Sequence, residues 1–586
     1  MENGSDRTVG LTYRQGLWVL IAVIAVVMRL AQLGGAPLTG AEAREAMLAW
    51  RASRGEGMPL GPYNPMLFAA NSLLFTLLGG SDELARLLPA LFGAALALTP
   101  FLFERYLGRV GALVCGLYLA ISPTALVGSR QLDGTVVASV GALTFLGSLL
   151  RFADTDRRGW IISAAVGLGV GVSSGAAVYG LLLPLGLAYA ILSALPPGDH
   201  RLDVAAGLRR VWGEAALFFP VFGITALLLS TGLGWNLSGL GASGGLLAAW
   251  FERFGPAARV SAAPLTLLAV YELGALVFGL GGLIWGAQEG RPAAVLLGLW
   301  AGLAILILTL MPGRGPTDTL WAVVPLAMLV GLVAETLAVD RWMVGRGLRV
   351  VHLAIVLVLW AYAYLMLARY AYYGELPDLA LVVVAVVLQG LVGLSFELVL
   401  GGGASLRTAA LGTAVVLLGL TAAAAWGAAY GHPADPREAL VSEPTPVNVR
   451  DLVETLKELS WNETGVSTTL AFAYEAAPDS VLAWYLRDFQ MAERVDRLQD
   501  LAADELGPIL VTEGRDETAV PAVEGGYAGQ DFPMRRQWTP RQMDCRLGEV
   551  GCSGPLAWFL FREKPPLPEP DQWATLWRRG TASHNR

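Results

Sequence analysis

Thr39-Gly-Ala-Glu-Ala-Arg-Glu-Ala-Met-Leu-Ala-Trp-Arg51 follows closely on an apolar run at 17–33. Glu42, Arg44, Glu45 and Arg51 alternate there with Ala43, Met47, Leu48 and Trp50. That is the pattern of an amphipathic helix lying on a membrane interface. A second charged start follows, Asp82-Glu-Leu-Ala-Arg86-Leu-Leu-Pro-Ala-Leu-Phe-Gly93, and a third, Ser129-Arg-Gln-Leu-Asp133, sits between two more apolar runs. Acids and arginines at the ends of membrane helices are expensive and usually functional. Clusters flanking the same few helices point to a site for an anionic ligand at the membrane surface.

The rest of the chain supports a membrane setting. Of its 586 residues 55% are hydrophobic and only 15% charged, and the mean hydropathy is +0.54; this composition is that of an integral membrane protein. A net charge of -7 gives no nucleic-acid signal. Lys457 and Lys564 are the only lysines, so arginine carries the positive charge. Cys115 lies in an apolar run, while Cys545 and Cys552 lie in the tail, and the histidines are His200, His352, His432 and His584. None of this has zinc-ligand spacing.

Apolar runs of spanning length fall near 17–33, 87–104, 110–128, 134–150, 160–176, 178–195, 213–232, 264–286, 293–311, 320–338, 350–368, 378–399 and 408–430, thirteen in all. The run 65–79 is short, and the arginines decide its place. With the N-terminus inside and 65–79 not crossing, the inside loops hold Arg105, Arg109, Arg151, Arg157, Arg158, Arg201, Arg209, Arg210, Arg291, Arg341, Arg346, Arg349 and Arg407. That is a positive-inside pattern, and it fails if 65–79 crosses. The first loop, 34–86, and the tail are then outside. The first apolar run has no clean cleavage site after it and reads as an uncleaved span.

A second long outer loop, 233–263, carries Trp235, Trp250, Phe251 and Phe254, interfacial anchors by composition. The tail alternates helix and strand signals. Val449–Leu459 is an amphipathic helix, Thr468–Tyr474 a strand, Ser480–Phe489 a helix and Gly507–Thr512 a buried-type strand. This predicts a small parallel or mixed sheet. Cys545 and Cys552 face an oxidising compartment on this topology and are expected to pair. The expected fold is a polytopic α-helical membrane protein of about 13 spans over 1–430, with an extracytoplasmic α/β domain over 431–586.

With these segments in order, the chain resembles the GT-C type polyprenyl-phosphate-sugar glycosyltransferases. It is similar to their protein O-mannosyltransferase-like group, and most of all to the flippase-activity-associated branch. Glu42-Ala-Arg-Glu-Ala resembles that family's Asp-Glu helix after span one, with Ala41 in place of the first acid. Tyr63-Asn-Pro-Met-Leu-Phe resembles its His-Gly-Pro or Pro-Pro-Leu-Tyr segment, with Tyr63 and Asn64 near the place of the histidine. Gly80–Gly93 is the best match. Ser129-Arg130 resembles its external Ser-Arg…Asp, although Asp133 follows sooner here, and Met311-Pro-Gly-Arg-Gly-Pro-Thr-Asp318 replaces a loop richer in charge and aromatics. Tyr271-Glu272 and Trp484-Tyr-Leu-Arg-Asp-Phe489 match segments typical of the branch.

The resemblance implies transfer of a sugar from a polyprenyl-phosphate carrier on the outer face. The chemistry needs a carboxylate to take the acceptor's proton, cations or donors for the phosphate leaving group, and a groove for the lipid tail. Glu42 is the nearest candidate base, with Glu45 in reserve and Asp133 as a third acid. Both glutamates equally read as helix N-terminal acids stabilised by roughly 0.3–1 kcal/mol. Arg86 and Arg130 are the phosphate candidates, but Arg86 equally pairs with Asp82 or Glu83, and Arg130 with Asp133. Tyr63, Asn64 and Glu272 are candidate lining residues. Arg29, inside the first span, needs Glu42, Glu272 or a lipid phosphate as partner. Asn236 and Asn462 begin sequons.

The expected partners are a polyprenyl-phosphate-linked sugar, membrane lipid and an acceptor glycan, lipid or protein, with no nucleic acid. No dedicated metal motif is present, and use of a divalent cation is left open. Two rivals stand beside the enzyme. One is a catalytically degenerate relative that binds the lipid carrier and assists glycolipid assembly or flipping. The other is a transporter, against which stand the large outer domain and the lack of two related halves with broken helices.

Overall fold

The computed structural model describes residues 12–57, 63–194, 210, 212–255, 260–338, 345–501, 506–515, 520, 526–538, 553–562 and 566–579. The first helix, α1 (Tyr13–Leu30), starts at a capping box made by Thr12 and Gln15. The quoted charged stretch is α2 (Gly40–Arg54), where Thr39 and Glu42 form a second capping box and Gly55 ends the helix at φ 79°. Next, α3 (Pro65–Leu78) begins on a proline after Asn64 and has 14 residues. At about 1.5 Å per residue that is roughly 21 Å, short of a bilayer core of about 30 Å. Then α4 (Asp82–Leu96) is capped by Ser81 and continues through short turns as an apolar rod to Leu107.

The helices that follow are α5 (Arg109–Ile121), α6 (Pro123–Ser129), α7 (Thr135–Thr155), α8 (Arg158–Ser174), α9 (Ala177–Ala194), α10 (Ala215–Ser230), α11 (Ser238–Glu252), α12 (Ala263–Tyr271), α13 (Leu273–Gln288), α14 (Pro292–Leu310), α15 (Leu320–Ala338), α16 (Arg346–Tyr373), α17 (Leu376–Leu400) and α18 (Ala404–Trp426). Among the described residues nine helices are long and apolar enough to cross, or up to eleven if two bent pairs each count as one span. The expected thirteen also included α8, of 17 residues, and α10, of 16, which fall short of that length. Glycine lets α7 and α8 approach closely: a Cβ on Gly141 would lie 2.5 Å from the Gly171 nitrogen.

The two bent pairs meet. The chain turns by 55° between α5 and α6 and by 99° between α12 and α13. Glu272 stands at the second bend. Its Oε1 accepts from Ser122 Oγ at 2.6 Å and Thr124 N at 3.0 Å, both at the first bend, and its Oε2 accepts from Tyr118 OH at 2.5 Å. One carboxylate thus satisfies donors that proline and the turn leave open.

The tail begins with α19 (Asn448–Thr464) and contains a short helix α20 (Val481–Leu486) and, later, α21 (Gly554–Phe561). Its strands are β1 (Phe472–Glu475), β2 (Ala492–Val495), β3 (Ile509–Glu513), β4 (Tyr527–Arg535) and β5 (Gln572–Arg579). They form a mixed sheet in the order β2-β1-β3-β5-β4, parallel across β2, β1 and β3 and antiparallel across β3, β5 and β4. Leu452, Leu456, Phe472, Leu482, Val511 and Leu576 are in its core. Cys545 and Cys552 lie outside the described residues.

The tail is keyed into the first loop. Trp484, fully buried, packs in one cluster with Met47 of α2 and Phe68 of α3. Asp82 accepts from Trp484 Nε1 at 2.9 Å, Tyr485 OH at 2.7 Å and Arg450 Nη2 at 3.0 Å. Arg487 Nη2 reaches Gly80 O at 2.6 Å. These contacts use the Trp-Tyr-Leu-Arg segment and the helix start at Asp82.

Candidate active site

The short turn from Arg130 to Asp133 joins α6 to α7 and has two faces. Arg130 points back at the end of α1: its Nη1 donates to Met28, Arg29 and Ala31 carbonyls and its Nη2 to Gln32 O. Its guanidinium also lies 4.6 Å from the Tyr430 ring centre. On this side a small cavity is lined by Thr39, Glu42, Arg86, Arg130, Gln131 and Thr445. Asp133 turns the other way, toward α2 and the loop before α15.

Glu42 and Arg86, 44 residues apart, form an ion pair at 2.7 Å with both side chains about 4% exposed. Each is saturated. Arg86 gives Nε to Glu42 Oε1, Nη1 to Leu33 and Ala36 carbonyls, and Nη2 to Pro37 O and Glu42 Oε2. That uses all five N–H groups of a guanidinium. Glu42 also accepts from Thr39 N and Leu132 N. Burial alone would raise the Glu42 carboxyl, but Arg86 and these donors hold it below its ordinary value. In the fold this pair fastens α2, α4 and the 130–133 turn together.

Glu45, one turn after Ala41, faces the opposite side of that knot. It is partly buried, and its Oε2 is buried with no hydrogen-bond partner. The Asn64 backbone N–H donates to it, and Arg44 and Asp133 lie in its field. Burial, with Asp133 adding to it, pushes the carboxyl up to about 7. Asp133 itself is oriented: Oδ1 accepts from Thr135 N and Oγ1, both at 3.1 Å, and Oδ2 accepts from Thr317 Oγ1.

Thr317 opens a third part of the site, the loop Met311–Asp318. Asp318 is buried and pairs with Arg253, and it accepts from Gly315 N at 2.7 Å. Arg253 Nε donates to Gly313 O while Gly313 N donates to Arg253 O. Arg253 also lies over the Trp321 ring at 5.7 Å. Arg314 donates to Met311 O and Ser261 Oγ. A continuous polar wall thus runs from Glu45 and Asp133 through Thr317 to Asp318, Arg253 and Arg314. It is acidic at one end and basic at the other. No group of three or more His, Cys, Asp or Glu side chains among the described residues is arranged to hold a metal ion.

The remaining expected residues divide. Tyr63 is buried, and its hydroxyl accepts from Asn236 Nδ2 at 2.9 Å; Asn236, 3% exposed, is spent on this contact. Asn64 sits beside Glu45, and its side-chain oxygen would lie 2.7 Å from a Cβ on Gly175. Glu272 is fully buried at the bends, where Tyr118, Ser122 and Thr124 take up its carboxylate. Arg29 takes none of the expected partners; it donates to Ala25, Leu119 and Ala120 carbonyls. Trp250 is a core residue rather than an interfacial one, whereas Phe251 is exposed.

Comparison with known proteins bears on this arrangement. Residues 61–199, which hold Arg86, Arg130 and Asp133, match the family described as dolichyl-phosphate-mannose-protein mannosyltransferase. No curated protein matches the chain by sequence. Among solved structures, ArnT from Cupriavidus metallidurans bound to undecaprenyl phosphate superposes with TM-score 0.51 at 18% identity, over 85% of this chain and 93% of that one. The chain has the GT-C fold. The same ArnT in the apo state gives TM-score 0.50 at 17% identity, over 86% and 93%. The oligosaccharyltransferase AglB from Archaeoglobus fulgidus gives 0.46 at 11% identity, over 86% and 69%.

Within this GT-C chain, sequence reading passed over Thr317, Asp318, Arg253 and Arg314 as site residues. A signal was present. The Gly-Arg-Gly-Pro-Thr-Asp run sets opposite charges at the end of a span, the same criterion that singled out Arg130 and Asp133.

Proposed function

We propose that the chain is a membrane glycosyltransferase that moves a sugar from a polyprenyl-phosphate carrier to an acceptor at the extracytoplasmic face, inverting the anomeric carbon. The N-terminus is then cytoplasmic and the tail outside. The observation that carries the reading is Glu45: a half-sequestered carboxylate with one oxygen unpartnered, set beside an oriented Asp133, one helical turn from the Ala41 that stands in the family's acid position. The matched family model over 61–199 and the shared fold with ArnT support the donor class.

In this reading Glu45 takes the acceptor hydroxyl proton as the acceptor oxygen bonds to the anomeric carbon. The bond from that carbon to the phosphate oxygen breaks, and polyprenyl phosphate leaves with its electron pair. Asp133, held by Thr135 and Thr317, positions the acceptor and keeps Glu45 receptive to a proton. Glu42 and Arg86 act at a distance, by fixing α2. The test is transfer in membranes or nanodiscs from a panel of polyprenyl-phosphate hexoses. Glu45→Gln is expected to slow transfer by roughly 10²–10⁴-fold, the usual contribution of a general base, with the fold retained. Transfer at the wild-type rate in this variant would remove Glu45 from the reaction.

One observation favours a second reading. Ala41 is an exposed alanine at the position of the family's first acid. If the wild-type chain binds polyprenyl phosphate yet transfers sugar from no donor, it is a degenerate relative that holds the carrier during glycolipid assembly or flipping.

A further inference from the structure

We propose that Arg314 is the cation that binds the phosphate of the carrier, so that the Met311–Asp318 loop couples the leaving group to the acid pair through Thr317. This deepens the glycosyltransferase reading and rests on it for the identity of the ligand. Arg86 has no N–H left for a ligand. Arg29 is sealed in the first span against three carbonyls. Arg130 spreads its fork over the carbonyls that end α1. Arg253 is committed to buried Asp318.

Arg314 differs from all four in how few of its donors are spent. It is partly exposed, as Arg130 and Arg253 also are, but it makes only one bond from Nη1, to Met311 O, and one from Nη2, to Ser261 Oγ, among the described residues. Of the five N–H groups of a guanidinium, three, on Nε and one on each Nη, have no hydrogen-bond partner among the described residues. Its bonded face fixes the fork, and the open edge suits the planar two-point recognition of a phosphate.

The loop carrying it is stiff. Gly313 is paired to Arg253 in both directions, and Asp318 closes back on Gly315 N. Three residues after Arg314, Thr317 Oγ1 bonds Asp133. A rigid segment thus sets a cation a fixed distance from the carboxylates. A displacement at an anomeric carbon needs that arrangement, with the proton accepted at one end and the phosphate held at the other.

The experiment uses the full chain in nanodiscs, with undecaprenyl phosphate as the probe and native mass spectrometry as the readout. Arg314→Ala is expected to weaken lipid-phosphate binding by about tenfold or more, as for loss of charge-assisted hydrogen bonds. Arg314→Lys, which keeps the charge but loses the fork, should fall between. Glu45→Gln should bind as the wild type does while transferring roughly 10²–10⁴-fold more slowly. Added guanidinium should restore binding to Arg314→Ala, which loss of folding alone would not permit. Wild-type binding in both Arg314 variants would overturn the assignment, as would displacement of the lipid by inorganic phosphate alone, which marks a general anion site. A wild-type chain that binds the lipid through Arg314 but transfers nothing would overturn the enzyme reading and leave this one standing.

Discussion

Glu42 and Glu45 are three residues apart on one helix, yet the fold gives them opposite duties. Glu42 faces Arg86, and every lone-pair direction it offers is taken. Glu42→Gln leaves a buried guanidinium without its charge partner, which costs about 3–5 kcal/mol. The expected result is a lower thermal transition and less folded protein, with the pH profile of any remaining transfer unchanged. On the proposed reading Glu45 sets that profile. Its carboxyl titrates at about 7, and a base must be deprotonated, so transfer should rise with pH through about 7. Stability runs the other way. A carboxyl raised in the folded state favours the fold while protonated; that contribution is full below the ordinary value of 4.5 and is lost as pH rises through about 7. Glu45→Gln should abolish both trends. A variant that kept the rise in activity would assign the titration to another group, with Asp133 the first to test.

Among the elements, the two bends matter more than any straight helix. Glu272 ties the turn between α12 and α13 to the turn between α5 and α6, and α6 leads directly into Arg130 and Asp133. The site is thus positioned by a buried carboxylate that does not reach it. In Glu272→Ala three donors lose their acceptor, the Tyr118 and Ser122 hydroxyls and the Thr124 N–H. At about 1–3 kcal/mol for each buried unsatisfied group, the loss should be at least ~3 kcal/mol, seen as a lower melting temperature in detergent. Unchanged melting with weakened sugar binding would instead make Glu272 a substrate contact.

For the whole molecule, the topology deduced from arginine placement gives a direct test. With Cys545 and Cys552 replaced, a cysteine introduced at exposed Asp488 should react with an impermeant thiol reagent from outside. One at exposed Asp156, after α7, should react only once the membrane is opened. The reverse result would invert the chain. Much of the fold was legible in the sequence because its signals are local: apolar runs of spanning length, the amphipathic pattern of α2, and the alternation of helix and strand in the tail. The pairings across the molecule were not legible. Nothing in the spacing of Arg86 says that it takes Glu42 rather than Asp82 or Glu83, or that Asp82 serves Trp484, Tyr485 and Arg450 instead. Such choices depend on which side chain tertiary packing leaves dry. The polar wall was half legible for the same reason, with Asp133 and Glu45 read as candidates while the bond from Thr317 to Asp133 depends on two loops meeting.

The contact between Asp82 and the tail has a consequence for how the protein comes into being. Asp82 and its partner Arg450 are 368 residues apart. At about 5–20 residues per second of synthesis, roughly 20–70 s pass between the emergence of one and the other. During that interval the loop bearing Glu45 has its own capping but lacks the tail residues that bury α2 and α3. The nascent chain therefore passes through a stage in which most spans are inserted and the surface of α2 and α3 is unfinished. A ribosome that stops before the last domain leaves that apolar face of α2 and α3 uncovered, as a mark that quality-control proteases can recognise.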